Sequence, residues 1–178
     1  MPSPTQADFF PDRLDGIPEV SLDDHGVPLV FRRHCARWEG TARRISREGQ
    51  CIDTDRVRVE ISIDGARYVQ TNTVRIGSES ERVSSYHGHF IEGKLVFPLT
   101  DEVYTLAGEK ARAFSGVAWA VSDSLILYNG NRTLNGVATH YNEVITLISE
   151  RERVRTTQLF ENGIYRHVTM IDEEALLR

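Results

Sequence analysis

Residues 53–76 constrain the fold of this chain most, because they have the pattern of a complete β-hairpin. Aliphatic and polar residues alternate from Val57 to Ile63, which is the period of a strand with one buried face. Asp64-Gly65 then supplies a two-residue turn, since both residues tolerate the positive φ that such turns require. This turn pairs Ile63 with Ala66 and continues the aliphatic face as Tyr68, Gln70, Asn72, Val74 and Ile76. The predicted inner face is therefore partly polar, and its buried amides need partners from neighbouring side chains, a ligand or water.

From Trp38 onward, further runs of strand-forming residues are separated by turn-forming pairs such as Glu92-Gly93. The predicted strands are 37–46, 51–63, 67–76, 82–91, 94–99, 113–121, 124–131, 137–149, 153–160 and 164–171. Short links between successive strands favour an antiparallel up-and-down meander, and about ten strands would leave exposed edges unless the sheet closes. We predict an all-β fold, a single antiparallel up-and-down β-barrel that occupies residues 36–178. Residues 100–110 form a longer link, either a loop or a loop with a strand fragment.

An N-terminal arm of residues 1–35 precedes the predicted barrel. Its first part is rich in Pro, Asp and Ser, which is typical of an extended or partly disordered segment. Residues 27–35, VPLVFRRHC, predict a short helix or turn that would close one end of the barrel.

Composition narrows the range of partners. The chain has 178 residues, of which 40% are hydrophobic, so one domain can bury a core without disulfides. A net charge of -5 and a pI near 5.7 disfavour a nucleic-acid partner. The arginines in residues 151–155 alternate with acidic residues, and we interpret them as part of a solvated strand edge.

The expected compartment is the cytoplasm. The N-terminus lacks a basic segment followed by an apolar run, and no stretch approaches the ~20 apolar residues of a membrane span. Cys35 and Cys51 are expected to remain reduced, because the predicted strands place them too far apart to pair. Because no apolar stretch is long enough to span a membrane, we also expect no membrane partner.

Short motifs in residues 37–173 resemble those of a known group of barrels. They are Trp38-Glu39-Gly40, Gln70-Thr71-Asn72, Gly88-x-Phe90 with EGKLVF at 92–97, Gln158-x-Phe160 with Asn162-Gly163, and Ile171-Asp172-Glu173. In these the chain resembles small bacterial lipocalin-like proteins of the calycin superfamily, most of them uncharacterised. The resemblance implies a barrel with a ligand-sized interior. The Trp-x-Gly start is also similar to nitrobindin-like haem barrels, but the lone His167 in the last predicted strand does not form an axial-histidine signature.

His87 and His89 are the sharpest local signal for chemistry, because residues at i and i+2 of a strand share one face. A three-residue loop at Glu92-Gly93 would turn both inward, whereas a two-residue loop would place Tyr86 and Phe90 there instead. Glu is a poor first residue for a primed turn, which favours the three-residue loop. A cupin-like metal set with Glu92, His140 and Asn142 has the wrong spacing, so no metal or other cofactor is predicted.

Glu143 is the candidate acid or base. It shares a strand face with Tyr141, and either this face or the opposite one with His140 and Asn142 points inward. An inward carboxylate would have a raised pKa unless a base such as Arg166 or a histidine paired with it. We predict Glu143 and His87 as catalytic residues.

Further polar and aromatic side chains are predicted to contact a ligand. Depending on the length of the Asn162-Gly163 loop, Gln158 lies opposite Arg166 or opposite His167. Trp119, opposite Leu127, is typical of a core or barrel plug rather than a ligand platform. The predicted ligand-binding residues are Tyr68, Gln70, Asn72, His89, Trp119, Tyr141, Gln158 and Arg166.

These patterns favour a barrel that binds a small, largely apolar molecule and rearranges it without a cofactor, as a cyclase, isomerase or lyase. The alternative is a non-catalytic carrier of a small hydrophobic ligand or pigment, including haem. A cupin-like metal-dependent enzyme is a third alternative. The sequence is compatible with a homodimer and does not fix the oligomeric state.

Overall fold

The computed structural model describes residues 20–100, 113–134 and 136–176. One short helix precedes ten strands. The elements are α1 Leu29–Arg33, β1 Arg37–Ser46, β2 Cys51–Asp64, β3 Arg67–Val74, β4 Arg82–Ile91, β5 Lys94–Thr100, β6 Ala113–Ser122, β7 Leu125–Leu134, β8 Val137–Leu147, β9 Glu152–Glu161 and β10 Ile164–Ala175. Residues 101–110 of the predicted link and most of the predicted arm fall outside the described residues.

The strands form a closed antiparallel barrel in which each strand pairs with its neighbours in sequence. β1 pairs with β2 on one side and with β10 on the other, so the first and last strands close the sheet. Closure leaves every strand with two neighbours and removes the exposed edges of an open sheet. The predicted up-and-down barrel of about ten strands is confirmed.

The register of the β2–β3 hairpin differs from the prediction: each β2 residue lies opposite a β3 residue two positions further along the chain. Ile63 lies opposite Tyr68, and the two loop residues are Gly65 and Ala66 rather than Asp64 and Gly65. Gly65 has φ 55, the positive value that a type II′ turn requires at its first loop residue. Because the shift moves the partner by two residues, the parity of the strand is kept. Tyr68 and the two amides that follow it therefore still share a face with Val59 and Ile61, which are buried.

Residues 27–35, for which the sequence left a short helix or a turn open, contain helix α1 at one end of the barrel. Its Phe31 ring packs edge-on against Phe90 at a centroid distance of 5.0 Å, and Val30 is fully buried. Arg32 donates to the carbonyl oxygens of Ile63 and Gly65 at 3.1 and 2.7 Å, which ties the helix to the β2–β3 turn. We call this end of the barrel the closed end and the opposite one the far end.

Within the described ranges, no helix is long and apolar enough to cross a membrane. Neither Cys35 nor Cys51 forms a disulfide.

Candidate functional site

The barrel encloses a cavity of about 450 Å³. This volume lies within the usual range for small-molecule sites, about 300–1,000 Å³. Strand alternation brings side chains from most strands to its wall. Its apolar lining includes Ile61, Leu95, Phe97, Phe114, Ile126 and Ile145. The interior is therefore large enough for a ligand and is mainly hydrophobic on these strands.

A ladder of hydrogen bonds runs along the inner face of β3. The Tyr68 hydroxyl donates to Gln70 Oε1 at 2.5 Å, and Gln70 Nε2 donates to Asn72 Oδ1 at 2.8 Å. All three residues line the cavity, as predicted from the hairpin. Burial raises the pKa of Tyr68, so its phenol remains a protonated donor. The amides satisfy each other in part and present their remaining polar atoms to the interior.

A buried ionic cluster occupies β9 and β10 at the closed end. Arg153 Nε and Arg155 Nε donate to Glu173 Oε2 at 2.6 and 2.9 Å, and Arg155 Nη2 donates to Glu173 Oε1 at 3.2 Å. Burial alone would raise the pKa of Glu173, but the two guanidiniums hold it below its ordinary value. Burial lowers the pKa of Arg153, while the two carboxylates beside Arg155 raise that residue's pKa against the effect of burial.

Glu143 joins this cluster from β8. Its Oε1 accepts from Arg155 Nη1 at 3.1 Å and from the Thr157 hydroxyl at 3.0 Å. Of the two faces left open by the sequence, the one carrying Glu143 and Tyr141 lines the cavity. The basic partner of Glu143 is Arg155, rather than Arg166 or a histidine.

The closed end also holds a histidine that the sequence did not single out. His34 follows α1 and is buried, and its Nδ1 lies 3.1 Å from Arg153 Nη1. The Arg153 guanidinium stacks over the Trp38 ring at 4.4 Å, and Trp38 Nε1 donates to the His34 carbonyl at 2.9 Å. Burial, together with Arg153 and Arg155, lowers the pKa of His34 to about 3, so its ring is neutral.

The interpretation of residues 151–155 as a solvated edge is wrong at two positions. Arg153 and Arg155 are only 2% and 8% exposed, because their strand turns them toward the cavity with Thr157. A guanidinium is rarely buried without a carboxylate, and the carboxylates here come from β8 and β10. The i, i+2 spacing of Arg153 and Arg155 was the available signal, but their partners lie on other strands.

Two glycines make room for an aromatic ring inside the barrel. Gly116 and Gly130 are paired on β6 and β7, and the Tyr128 ring lies over them. A Cβ at Gly130 would lie 2.1 Å from the Tyr128 hydroxyl oxygen, and one at Gly116 would lie 2.8 Å from it. The absence of side chains at both positions thus sets the position of Tyr128 in the cavity wall.

His87 and His89 are exposed on the outer wall of β4, so the expectation that they face inward is wrong. The β4–β5 loop has two residues rather than three, because Ile91 pairs with Lys94. Glu92 and Gly93 adopt φ 49 and 74, the pattern of a type I′ turn, although Glu is unusual there. The arrangement of His87 and Glu143 facing one cavity therefore does not occur.

Three other predicted ligand contacts also lie outside the cavity. Trp119 is paired with Leu127, as predicted, but it lines a groove on the outer wall together with Gln158. Gln158 lies opposite Val168, a pairing that neither of the two predicted loop lengths produces. The turn has two residues, and a bulge between Tyr165 and His167 then shifts the register by one residue. Arg166 is exposed and pairs with Glu161 at 2.9 Å.

Polar residues on the outer wall of β7 and β8 bind one another. Asn129 Nδ2 donates to Asn142 Oδ1 at 2.8 Å, and His140 Nε2 lies 3.0 Å from the same oxygen. Among the residues that the structure describes, no three His, Cys, Asp or Glu side chains form a group that could hold a metal ion.

Arginines line the cavity at the far end. Arg44 pairs with Asp53 at 2.8 Å, and Arg75 pairs with Asp55 at 3.3 Å. The Arg132 guanidinium lies 5.2 Å from the centre of the Tyr141 ring. The described residues at the far end are therefore largely charged, in contrast to the apolar middle of the cavity.

No protein-family model matches this sequence. No curated protein matches it by sequence either.

Two solved structures align with most of this chain. A protein of unknown function of the DUF3598 family from Nostoc punctiforme aligns with a TM-score of 0.60 at 17% sequence identity, covering 82% of this chain. The chain spans 49% of that protein's length. An S-type phycobiliprotein lyase from Guillardia theta aligns with a TM-score of 0.45 at 11% identity, covering 83% of this chain and 90% of the lyase. The first similarity shows the fold alone, and the ten-strand architecture is that of a lipocalin-like barrel.

Proposed function

We propose that this protein binds a small, largely apolar molecule inside its barrel. The observation that carries the proposal is the cavity of about 450 Å³, enclosed by ten strands and covered at one end by α1. Interiors of folded proteins are otherwise packed to crystal-like density, with few voids larger than a water molecule. A cavity of this size lined by well-formed strands is typical of a ligand site.

The polar groups on the cavity wall support the binding of a ligand in a defined orientation. The Tyr68–Gln70–Asn72 ladder offers hydrogen bonds along one side, and Ile61, Phe97 and Phe114 offer apolar contact. Such a combination orients a molecule that is mainly hydrophobic and carries a few polar atoms. The ligand reaches the site from the far end, past Arg44 and Arg132, because α1 covers the closed end.

Filling the cavity tests the proposal. Ala118 is buried and lines the cavity from β6, so Ala118→Phe places a ring inside it. The neighbouring Val117 points to the opposite face of the same strand, and Val117→Phe is the matched control. Equilibrium dialysis of an apolar aromatic probe should show at least tenfold weaker binding to Ala118→Phe and unchanged binding to Val117→Phe. Circular dichroism and thermal melts verify that both variants are folded. Binding that is equal in the two variants would place the ligand elsewhere.

A second candidate is a cofactor-independent isomerase, cyclase or lyase, and the observation that favours it is the carboxylate of Glu143 in the cavity wall. Proton transfer would then depend on Glu143 without His87. Molecules extracted from purified protein, identified by mass spectrometry and incubated with fresh protein, distinguish catalysis from carriage. Product that forms with wild type and not with Glu143→Gln supports the enzyme, while unchanged ligand supports the carrier.

A further inference from the structure

The ring of Tyr128 lies along the inner wall of the barrel, in the space that two glycines leave. Gly116 and Gly130 are paired across β6 and β7. A Cβ at Gly130 would lie 2.6 Å from Tyr128 Cζ and 3.0 Å from its Cε1, whereas a Cβ at Gly116 would lie 2.8 Å from Cε2. Since the two edges of the ring approach two neighbouring strands, one face of the ring is turned toward the wall. The other face is turned toward the cavity, which Tyr128 lines.

Phe97 stands beside this ring. It is paired with Gly116 from β5, and its ring is perpendicular to that of Tyr128, with an interplanar angle of 88° and a centroid distance of 6.0 Å. Because the Tyr128 ring lies along the wall, the Phe97 ring projects from the wall into the interior. The two rings form a corner with Tyr128 as its floor and Phe97 as one side, which we call the aromatic corner. Among the residues that the structure describes, no ring is stacked parallel to Tyr128.

A flat ring is the shape that fits the aromatic corner. Aromatic rings attract one another in offset-stacked and in edge-to-face arrangements. A planar ring placed over Tyr128 would be parallel to it and would present its edge to the face of Phe97, so it would make both arrangements at once. A saturated ring system is thicker and has no π-electrons, so it would make neither. Glycine inside a strand weakens the strand and often marks a place that a ligand approaches closely, and here two such glycines set the floor.

We propose that the aromatic corner recognises the ligand, and that the ligand carries a planar aromatic or conjugated ring system that stacks on Tyr128. This inference rests on the proposed function and names the chemical class of the ligand. The competing role for Tyr128 is to fill space in the wall. In that case the cavity would select its ligand by size and hydrophobicity alone, and the experiment separates the two roles.

Two probes with the same carbon skeleton test the aromatic corner in the wild-type protein. 2-Ethylnaphthalene is planar, and 2-ethyldecalin is its saturated counterpart, which has the larger apolar surface. A cavity that selects by hydrophobicity alone would bind 2-ethyldecalin at least as tightly as 2-ethylnaphthalene. We expect 2-ethylnaphthalene to bind about 2- to 12-fold more tightly in equilibrium dialysis, which is the range that one aromatic pair contributes beyond its buried area.

Substitution of Tyr128 assigns the preference to this ring. Tyr128→Phe keeps the ring and removes the hydroxyl, whereas Tyr128→Leu removes the ring. Tyr165→Leu is the matched control, because Tyr165 packs on Phe160 at a centroid distance of 5.6 Å and does not line the cavity. The preference for 2-ethylnaphthalene over 2-ethyldecalin should be lost in Tyr128→Leu and kept in Tyr128→Phe and Tyr165→Leu. Proton NMR spectra of bound 2-ethylnaphthalene should show upfield ring-current shifts that decrease in Tyr128→Leu alone.

The outcomes separate this proposal from the proposed function. Equal affinity for the two probes, or tighter binding of 2-ethyldecalin, leaves the binding cavity in place and overturns the aromatic corner. A preference that survives in Tyr128→Leu, or that is lost in Tyr128→Phe as well, also overturns it, because the ring face would then not be its source. Failure of both probes to bind overturns the proposed function too. Because the probe comparison uses wild-type protein, misfolding of a Tyr128 variant does not weaken the test.

Discussion

Replacing Glu173 with Gln removes the central charge of the buried cluster while keeping the size of the side chain. Glu173 is 3% exposed and accepts three hydrogen bonds from Arg153 and Arg155. Gln keeps one oxygen, and its amide nitrogen would face a guanidinium N–H group as a second donor. The variant therefore leaves two buried cations with Glu143 as the one carboxylate among the cluster residues.

The expected decrease in the free energy of unfolding is large. Removing one partner of a buried ion pair destabilises proteins by about 3–5 kcal/mol. For a chain of this size, 1 kcal/mol corresponds to about 2–4 °C in melting temperature, so Glu173→Gln should lower it by about 6–20 °C. The adjacent Glu174 is exposed, and Glu174→Gln should change the free energy of unfolding by less than about 0.5 kcal/mol.

Urea denaturation followed by circular dichroism measures both variants against wild type. The m-value of each variant should match that of wild type, which would show that the same surface is exposed on unfolding. A loss below about 1 kcal/mol in Glu173→Gln would refute the reasoning, because it would mean that water or a local rearrangement compensates the two arginines.

Three further predictions concern His34, His87 and Gly130. The pKa of His34 falls from 6.5 to about 3 on folding, so the unfolded chain takes up a proton first and stability is lost as pH falls through this window. Between about pH 5.5 and 4, where the unfolded histidine is almost fully protonated and the folded one is not, urea titrations should show this loss at about 1.4 kcal/mol per pH unit in wild type relative to His34→Asn. His87→Ala should leave probe affinity unchanged in dialysis and stability within about 0.5 kcal/mol, and a tenfold loss of affinity would contradict the outward orientation. Gly130→Ala should lower stability by about 1–3 kcal/mol in urea, because its Cβ displaces Tyr128, and the same substitution should cost less when it is made in a Tyr128→Ala background.

The alternation of apolar and polar residues, together with the turn-forming residues between the strands, was sufficient to predict the barrel from the sequence. Each predicted strand is present, and the inner face of β3 is as expected, because parity survives a shift of two residues in register. The orientation of His87 and His89 was not predictable in the same way. It depends on whether one loop has two or three residues, and Glu92 adopts a positive φ that its residue type disfavours.

The ionic cluster was harder to predict for a different reason. Arg153 and Arg155 have the alternation of a strand, but burial of an arginine depends on carboxylates that strand pairing brings from β8 and β10. Sequence spacing carries no information on which carboxylate meets which guanidinium across separate strands. The same applies to His34, whose role follows from where α1 packs on the barrel end.

Closure of the sheet by β1 and β10 has a consequence for the kinetics of folding. Nine of the strand pairings join neighbours in sequence, whereas the tenth joins Arg37–Ser46 to Ile164–Ala175 across most of the chain. Forming this contact carries the largest loop-closure entropy, so we expect the open meander to form before it. The contacts of Arg153 with His34 and Trp38 also span this seam and would form late. Stopped-flow measurements on His34→Asn should accordingly show faster unfolding with little change in the folding rate, so that the seam sets the lifetime of the native barrel.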